Sequence, residues 1–146
     1  DLFPGERIPW HRIIREYTDG DKLVEAEDAL KTAESYVGRD APIDRYKVRI
    51  LLKRATITQG IMDEDRLAIV RKAYEVAFKN LRRHPRDKFS YYTLCDAAIA
   101  LGERGDGGVA LDEAIKLTRE AAESILDPEM DTSLRRYEIS RAKLNR

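Results

Sequence analysis

Residues 102–108, Gly-Glu-Arg-Gly-Asp-Gly-Gly, are the part of this 146-residue chain whose composition best suits a reactive loop. A glycine-rich loop brings backbone N–H groups close to a phosphate, which is how many nucleotide sites work. A phosphate loop of the Walker type ends in Gly-Lys-Ser/Thr, however, and this segment has no lysine, serine or threonine. The dinucleotide-binding motif follows a strand, whereas this segment follows an apolar pattern of helical spacing. We therefore predict a turn between two helices, with Arg104-Gly105-Asp106 as part of the turn and not an adhesion motif.

Few other residues have the types and spacing that catalysis or metal binding requires. The single cysteine, Cys95, lies on an apolar stripe and is predicted to be buried, not nucleophilic. His11 and His84 belong to different elements and offer no metal-binding spacing. The acidic segments 63–65 and 127–131 lack the twelve-residue calcium loop and are assigned to helix N-termini, where the helix dipole favours them. We therefore predict no enzyme, no metal and no cofactor.

The composition limits the class of protein. With 42% hydrophobic and 37% charged residues, the chain is predicted to form one folded domain, 1–146. It has 27 basic and 27 acidic residues, so no net charge attracts nucleic acid or an anionic membrane. No apolar run approaches the roughly 20 residues that a membrane span requires. A single cysteine suits a reducing compartment, and we expect a cytoplasmic location. The chain begins with Asp1 and ends within an apparent helix, so we expect it to be a fragment of a larger protein.

The elements that position these residues are predicted to be helices. Segments rich in glycine, proline and aspartate separate stretches whose apolar residues recur every three or four positions, the period of an amphipathic helix. No stretch alternates with period two for long enough to predict a strand. The predicted fold class is all-α, with about seven helices at 8–17, 21–37, 43–59, 64–82, 87–101, 109–126 and 132–145.

The predicted helices repeat along the chain. Pro42, Pro85 and Pro128 are 43 residues apart, and five further positions correspond at a spacing of 44. These sets are Leu23, Leu67 and Leu111; Ala26, Val70 and Ala114; Leu30, Tyr74 and Thr118; Ala33, Ala77 and Ala121; and Val37, Leu81 and Ile125. A helical hairpin that cannot bury its apolar face alone stacks on its neighbours. The repeat therefore predicts three stacked hairpins, at about 8–37, 43–82 and 87–126, and an extra helix at 132–145.

The first hairpin carries bulky, aliphatic, small and aromatic residues at characteristic intervals. They are Trp10, Ile13, Ile14 and Tyr17, followed by Ala26, Leu30 and Ala33. This pattern resembles the tetratricopeptide repeat family (TPR), with two departures: Ile14 stands where the family has a small residue, and the period here is near 43 residues and not the usual 34 or so. The resemblance covers about 8–137 and indicates an extended TPR-like variant. It implies an α-solenoid, a right-handed stack of antiparallel helical hairpins in which the first helix of each hairpin lines a concave groove.

Charge separates along the chain in a way that fits this arrangement. Segments 43–60 and 132–146 each have a net charge of +4, whereas 19–40 and 105–131 have net charges of −4 and −6. With the family's layout, the groove would be basic and the outer surface acidic. The predicted groove residues are His11, Arg15, Tyr46, Arg49, Lys53, Phe89, Tyr92, Asp96 and Arg135.

The predicted function is that of a non-catalytic protein–protein interaction module. Cationic side chains beside aromatic ones suit an extended acidic peptide with an apolar anchor. The same charges also suit a solvated helical surface whose segments pair with each other, so both interpretations stay open. Some members of the resembled family clamp a C-terminal carboxylate with Lys, Arg and Asn. Arg49 and Lys53 match part of that clamp, but asparagines are missing from the predicted groove.

Two alternative functions and one oligomeric state follow from the same sequence. The chain could be a regulatory helical arm of a larger enzyme or signalling ATPase. It could also bind nucleic acid through 45–54, 82–88 and 135–146, which the zero net charge disfavours. The last helix lacks a stacking partner, so it should expose Leu134 and Tyr137 or bury them in a homodimer.

Overall fold

The computed structural model describes residues 7–38, 40–106 and 108–144, and within them the chain is helical and has no strand. Seven α-helices follow one another: α1 (Arg7–Asp19), α2 (Leu23–Val37), α3 (Ala41–Ile57), α4 (Asp63–Arg83), α5 (Lys88–Leu101), α6 (Val109–Ile125) and α7 (Pro128–Lys143). A wide turn of π-helical type, Gly102–Asp106, follows α5. The predicted all-α fold class is confirmed.

Aspartate side chains fix where three of the helices begin. The capping residues are Asp40 before α3, Asp87 before α5 and Asp127 before α7, and each accepts a hydrogen bond from a backbone N–H of the first turn. These bonds satisfy donors that have no partner within the helix. The predicted start of α7 at residue 132 is wrong, because α7 begins at Pro128. Proline has no N–H and a fixed φ, so it ends a helix but is well accommodated at the first position of the next one.

Each helix packs against the next one in the chain, and the odd-numbered helices also pack against each other. The contacts between odd-numbered helices join α1 with α3, α3 with α5, and α5 with α7. Each even-numbered helix contacts the two odd-numbered helices that flank it in sequence. The odd-numbered helices therefore form a row. Side chains of this row that point away from α2, α4 and α6 share one surface.

Two groups of buried apolar side chains hold the described helices together. The main core lies within α3–α7 and includes the fully buried Leu94, Leu111 and Met130. The N-terminal core is smaller and joins α1, α2 and α3 through Ile14, Ala26, Leu30, Ala33, Ile43 and Ile50. Helix α3 contributes to both cores, because Ile50 faces one and Val48 faces the other.

The positions that repeat every 44 residues lie on the interior side of the even-numbered helices. Two complete sets are buried: Ala26, Val70 and Ala114, and Ala33, Ala77 and Ala121. In a third set Leu111 is buried, while Leu23 and Leu67 pack against the two cores as partly buried residues. The side chain of Val37 lies outside the described part of the chain. The sequence repeat therefore corresponds to a repeated packing face on α2, α4 and α6.

Helix α7 closes the row without leaving its apolar residues uncovered. Leu134 and Tyr137 are only 7% and 5% exposed and belong to the main core. The expectation that they would be exposed or covered by a second copy is wrong, because α5 and α6 already cover them. Arg141 of α7 also forms an ion pair with Asp112 of α6, with 2.6 Å between Nε and Oδ1. A homodimer stays a prediction, but the exposed apolar surface on which it was based is not there.

Candidate functional site

In the glycine-rich segment 102–108, the side chain of Asp106 already binds backbone N–H groups at the N-terminus of α6. The carboxylate of Asp106 accepts hydrogen bonds from the backbone N–H of Gly108 at 2.7 Å and of Ala110 at 3.1 Å. A phosphate bound at the start of α6 would need these donors. The segment is the connection between α5 and α6, as predicted.

Two glycines of this segment make room for α7. A side chain on Gly102 would collide with Leu144, and one on Gly108 would collide with the guanidinium of Arg141. Gly108 also has a φ of 86°, in the left-handed region that favours glycine. Gly107 lies outside the described residues. The described glycines at 102 and 108 therefore serve the docking of the last helix.

The other residues considered for chemistry are placed as follows. Cys95 is fully buried with its Sγ 3.4 Å from Thr118 Oγ1, and burial raises the pKa of its thiol to about 12. A neutral, inaccessible thiol is a poor nucleophile.

Within residues 7–38, 40–106 and 108–144, no three His, Cys, Asp or Glu side chains form a group that could hold a metal ion. None of the helices in those ranges is both long and apolar enough to cross a bilayer.

An open groove crosses the row of odd-numbered helices. Side chains of α1, α3 and α5 line a first cavity of about 470 Å³: Arg15, Arg45, Tyr46, Val48, Arg49, Leu52, Phe89, Tyr92, Thr93 and Asp96. A second cavity of about 460 Å³ between α5 and α7 is lined by Tyr92, Asp96, Ile99, Arg136, Tyr137 and Ser140. Because Tyr92 and Asp96 line both cavities, we treat them as one surface, called the odd-helix groove below.

Six of the nine predicted groove residues line this groove: Arg15, Tyr46, Arg49, Phe89, Tyr92 and Asp96. His11 lies nearby, with its ring 6.2 Å from that of Tyr46 and its Nε2 3.6 Å from Asp40 Oδ2, but it does not line either cavity. Lys53 turns away and donates hydrogen bonds to the carbonyl of Thr18 and to Asp21, both at 2.8 Å. These two residues stand at the margin of the groove.

Arg135 lies outside the groove, and the arginine beside it takes the predicted place. Arg135 is exposed and lines neither cavity, whereas Arg136 lines the second one. One residue is about 100° of rotation around a helix. Since Leu134 and Tyr137 both face the main core, Arg136 falls on the groove side of α7 and Arg135 on the outer side.

Sequence reasoning also missed Arg45, which lines the first cavity. A signal for it was present, because Arg45 and Arg49 are four residues apart and so lie on one face of α3. For Arg136 no comparable signal existed, since its side of the helix depends on how α7 packs on α5 and α6.

Among the described residues, two of the four cations that line the groove already have a carboxylate partner within the chain. Arg45 pairs with Asp87, and Arg49 pairs with Asp19, the last residue of α1. Arg15 and Arg136 are different, because no carboxylate of the described residues lies within ion-pairing distance of either. These two guanidinium groups come from α1 and α7, the first and last helices of the row.

Aromatic rings form a continuous strip along the groove. Phe89 meets Tyr92 edge to face, with 5.9 Å between ring centroids, and Tyr92 lies 6.4 Å from Tyr137. Arg45 and Lys88 each lie over the ring of Phe89, at 5.4 and 5.2 Å from its centroid. Phe89 is nevertheless 46% exposed, so part of an ordered apolar surface faces solvent. Such a surface can accept an apolar side chain of a ligand.

Asp96 is the one acidic residue among those that line the two cavities in the described part of the chain. Its side chain reaches solvent, but it stands at the junction of the cavities, where protein replaces much of the water around the carboxylate. This desolvation raises the pKa of Asp96 to about 6, although Arg136 and Arg49 act in the opposite direction. The carboxylate is therefore mostly ionised at neutral pH and mostly neutral near pH 5.

The even-numbered helices do not share one charge sign. Helices α2 and α6 each carry four acidic side chains against one and two basic ones, as expected for an acidic outer surface. Helix α4 carries six basic and four acidic side chains, which contradicts that expectation. Acidic composition is therefore a property of two of the three even-numbered helices.

Fold and site together define an all-helical protein with a basic and aromatic groove across one row of helices. Compared with protein-family models, with curated proteins and with solved structures, the chain matches none. The likeness to the tetratricopeptide repeat thus depends on the residue pattern and stays a prediction.

Proposed function

We propose that this chain is a non-catalytic interaction module that binds an extended acidic segment of a partner protein in the odd-helix groove. One observation supports the proposal above all: Arg15 and Arg136 line the groove, and neither has a carboxylate partner among the described residues. A guanidinium offers a planar set of donors that matches a carboxylate. Two such groups on the first and last helices favour a ligand with two separated acidic side chains.

The aromatic strip supplies the apolar part of the proposed contact. Phe89 is half exposed, two cations lie over its ring, and Tyr92 packs against it edge to face. Because packing already fixes these two aromatic side chains, they lose little conformational entropy when a ligand side chain binds against them. An apolar residue near one of the ligand's acids would therefore add affinity.

We also propose that the helices form a TPR-like stack of hairpins, an α-solenoid of right-handed twist. Support comes from the order of contacts, in which every helix packs on the next and odd-numbered helices pack on each other. Further support comes from the buried sets that begin with Ala26 and Ala33, since repeat proteins bury equivalent positions in successive units. When the acidic segment belongs to the same polypeptide, such a module would act as a regulatory arm of a larger enzyme or signalling ATPase.

Nucleic acid fits the groove less well than an acidic peptide does. A phosphate backbone carries a negative charge at every nucleotide and would meet the ionised Asp96 at the junction of the two cavities. The basic residues Arg49 and Lys53 are also paired with acids at the end of α1 and just after it. Both features reduce the attraction for a polyanion.

The proposal is tested with two matched double variants. Arg15→Glu with Arg136→Glu reverses the two unpaired groove cations, whereas Arg12→Glu with Arg135→Glu reverses exposed arginines of the same helices outside the groove. The probe is a fluorescently labelled random copolymer of glutamate and tyrosine, and binding is measured by anisotropy. We expect the groove variant to lose at least about tenfold in affinity and the control to lose less than about twofold.

Equal weakening in the two variants, or no binding by the unmodified chain, would contradict the proposal. Circular dichroism of both variants checks that the helices are intact. A labelled single-stranded RNA serves as the second probe. Steeply salt-dependent RNA binding that outcompetes the copolymer would favour the nucleic-acid alternative. Arg49 and Lys53 are less suitable targets, because their ion pairs also fasten the α1–α2 turn.

A further inference from the structure

Asp96 is the one acidic residue among the described residues that line the odd-helix groove. Its position determines where a bound ligand should carry a positive charge. Resting on the proposed function, we propose that Asp96 pairs with a basic residue of the partner segment, so that the groove selects a lysine or arginine between two acidic residues. The selected segment is thus acidic at both ends and basic in the middle.

Asp96 stands at the junction of the two cavities and lines both of them. Arg49 of α3 shares the first cavity with it, and Arg136 of α7 shares the second. Neither guanidinium pairs with it, because Arg49 reaches Asp19 and Arg136 reaches the hydroxyl of Ser133 at 3.4 Å. Asp96 has no cation within ion-pairing distance in the described part of the chain. A ligand ammonium or guanidinium would supply that partner.

The groups that share the cavities with Asp96 leave no competing acid. They are Arg15 from α1; Arg45, Tyr46 and Arg49 from α3; Tyr92 from α5; and Arg136 and Tyr137 from α7. Cys95, the neighbour of Asp96 in sequence, is buried and un-ionised at neutral pH. Among the described residues that line the two cavities, all the other charges are positive. They attract the acids of a ligand and repel a base everywhere except at Asp96.

The spacing of the helices sets the spacing of the charges in the ligand. Packed helix axes lie about 8–10 Å apart, and α1, α3, α5 and α7 are successive members of the row. The distance from α1, which carries Arg15, to α7, which carries Arg136, is then about 24–30 Å, and an extended chain rises about 3.3 Å per residue. Two ligand acids should therefore be about eight residues apart, with the basic residue between them.

The titration of Asp96 offers a way to remove its charge without mutation. Desolvation by the surrounding protein raises the pKa of Asp96 to about 6, whereas a ligand glutamate keeps its ordinary pKa of about 4.3. Lowering the pH from about 7.5 to about 5 neutralises Asp96 and leaves most of the ligand acids ionised. The preference for a central base should therefore fade at the lower pH, while attraction of the acids persists.

The test uses three synthetic peptides that differ only in the central residue: Glu-Ser-Leu-Ser-X-Ser-Leu-Ser-Glu, with lysine, glutamine or glutamate as X. The even spacing places X and both terminal glutamates on one face of an extended chain. At pH 7.5 we expect the lysine peptide to bind about tenfold more tightly than the glutamine peptide, and the glutamate peptide to bind most weakly. If that tenfold preference is due to the ionised Asp96, it should fall to about twofold at pH 5. Fluorescence anisotropy of the labelled peptides measures all three affinities.

Two variants of Asp96 make the test specific. Asp96→Asn should lose the preference for the lysine peptide at both pH values, and Asp96→Lys should prefer the glutamate peptide. His11 lies beside the groove, with its ring 6.2 Å from that of Tyr46, so His11→Gln serves as the control and should keep the preference and its pH dependence. Equal affinity of the unmodified chain for all three peptides, or a preference that survives in Asp96→Asn, would overturn the inference alone. Failure to bind any of the peptides would overturn the proposed function and this inference with it.

Discussion

The first hairpin and the last helix each provide one unpaired arginine of the groove, but they are attached to the protein in different ways. Helices α1 and α2 share only the small N-terminal core with α3 and are further joined to α3 by ion pairs, such as Arg49 with Asp19 and Lys53 with Asp21. Helix α7 instead places Leu134 and Tyr137 in the main core. Apolar burial is insensitive to salt, whereas exposed ion pairs are screened by it.

The α1 end and the α7 end of the groove should therefore differ in rigidity. Local opening requires the least free energy where few apolar contacts must be broken. We therefore expect α1, with Arg15, to open more readily than α7, with Arg136. A ligand that bridges the two arginines would then stabilise the first hairpin more than the rest of the chain.

The largest effect is expected from truncating one buried side chain in each of the two cores. Leu94→Ala in the main core and Ile14→Ala in the N-terminal core both truncate fully buried side chains, and such changes typically cost about 2–5 kcal/mol. For Leu94→Ala we expect a fall of about 3 kcal/mol in the free energy of unfolding, measured in urea. For Ile14→Ala we expect faster amide exchange confined to residues 7–38. Loss of protection throughout the chain in Ile14→Ala would show that the two cores act as one.

A smaller loss of stability is expected when either of two glycines with a positive φ is replaced by alanine. Gly38 and Gly108 have φ values of 74° and 86°, so alanine at either position should cost about 1 kcal/mol of backbone strain. No atom of the described residues lies within 4 Å of a side chain added at Gly38, whereas one at Gly108 would displace the guanidinium of Arg141 from Asp112. We therefore expect Gly108→Ala to lower stability by about 2 kcal/mol and Gly38→Ala by about half as much, measured by thermal unfolding. Equal losses would mean that α7 does not depend on the open space at Gly108.

The smallest expected effect concerns the ion pairs of the first hairpin. Arg49→Gln with Lys53→Gln should cost at most about 1 kcal/mol, because pairs this exposed are weak. The cost should appear as faster amide exchange in α1 and α2 at low salt and should vanish near 1 M salt, where screening is short-ranged. Arg12→Gln, which breaks only the Arg12–Glu16 pair within α1, is the control. A loss that persists at high salt would mean that these side chains act through packing.

Much of the fold was predictable because it depends on local patterns. The three- and four-residue spacing of apolar side chains identified seven helices, and aspartates such as Asp87 marked where they begin. The start of α7 was misplaced because Pro128 fits both the end of one helix and the first position of the next. In the groove, Arg49 and Asp96 were predictable from helical periodicity on α3 and α5.

Period, capping and charge belong to each segment alone, so the helices, the repeat of their packing faces and the basic character of α3 could be predicted from local sequence. Which described arginines have no carboxylate partner depends on packing, because an ion pair such as Arg49 with Asp19 joins residues that are 30 positions apart. The tertiary structure also decided that Arg136 and not Arg135 faces the groove, since the rotation of α7 is fixed by the side chains it buries against α5 and α6. Helical periodicity specifies a face of a helix, and only packing specifies what that face meets.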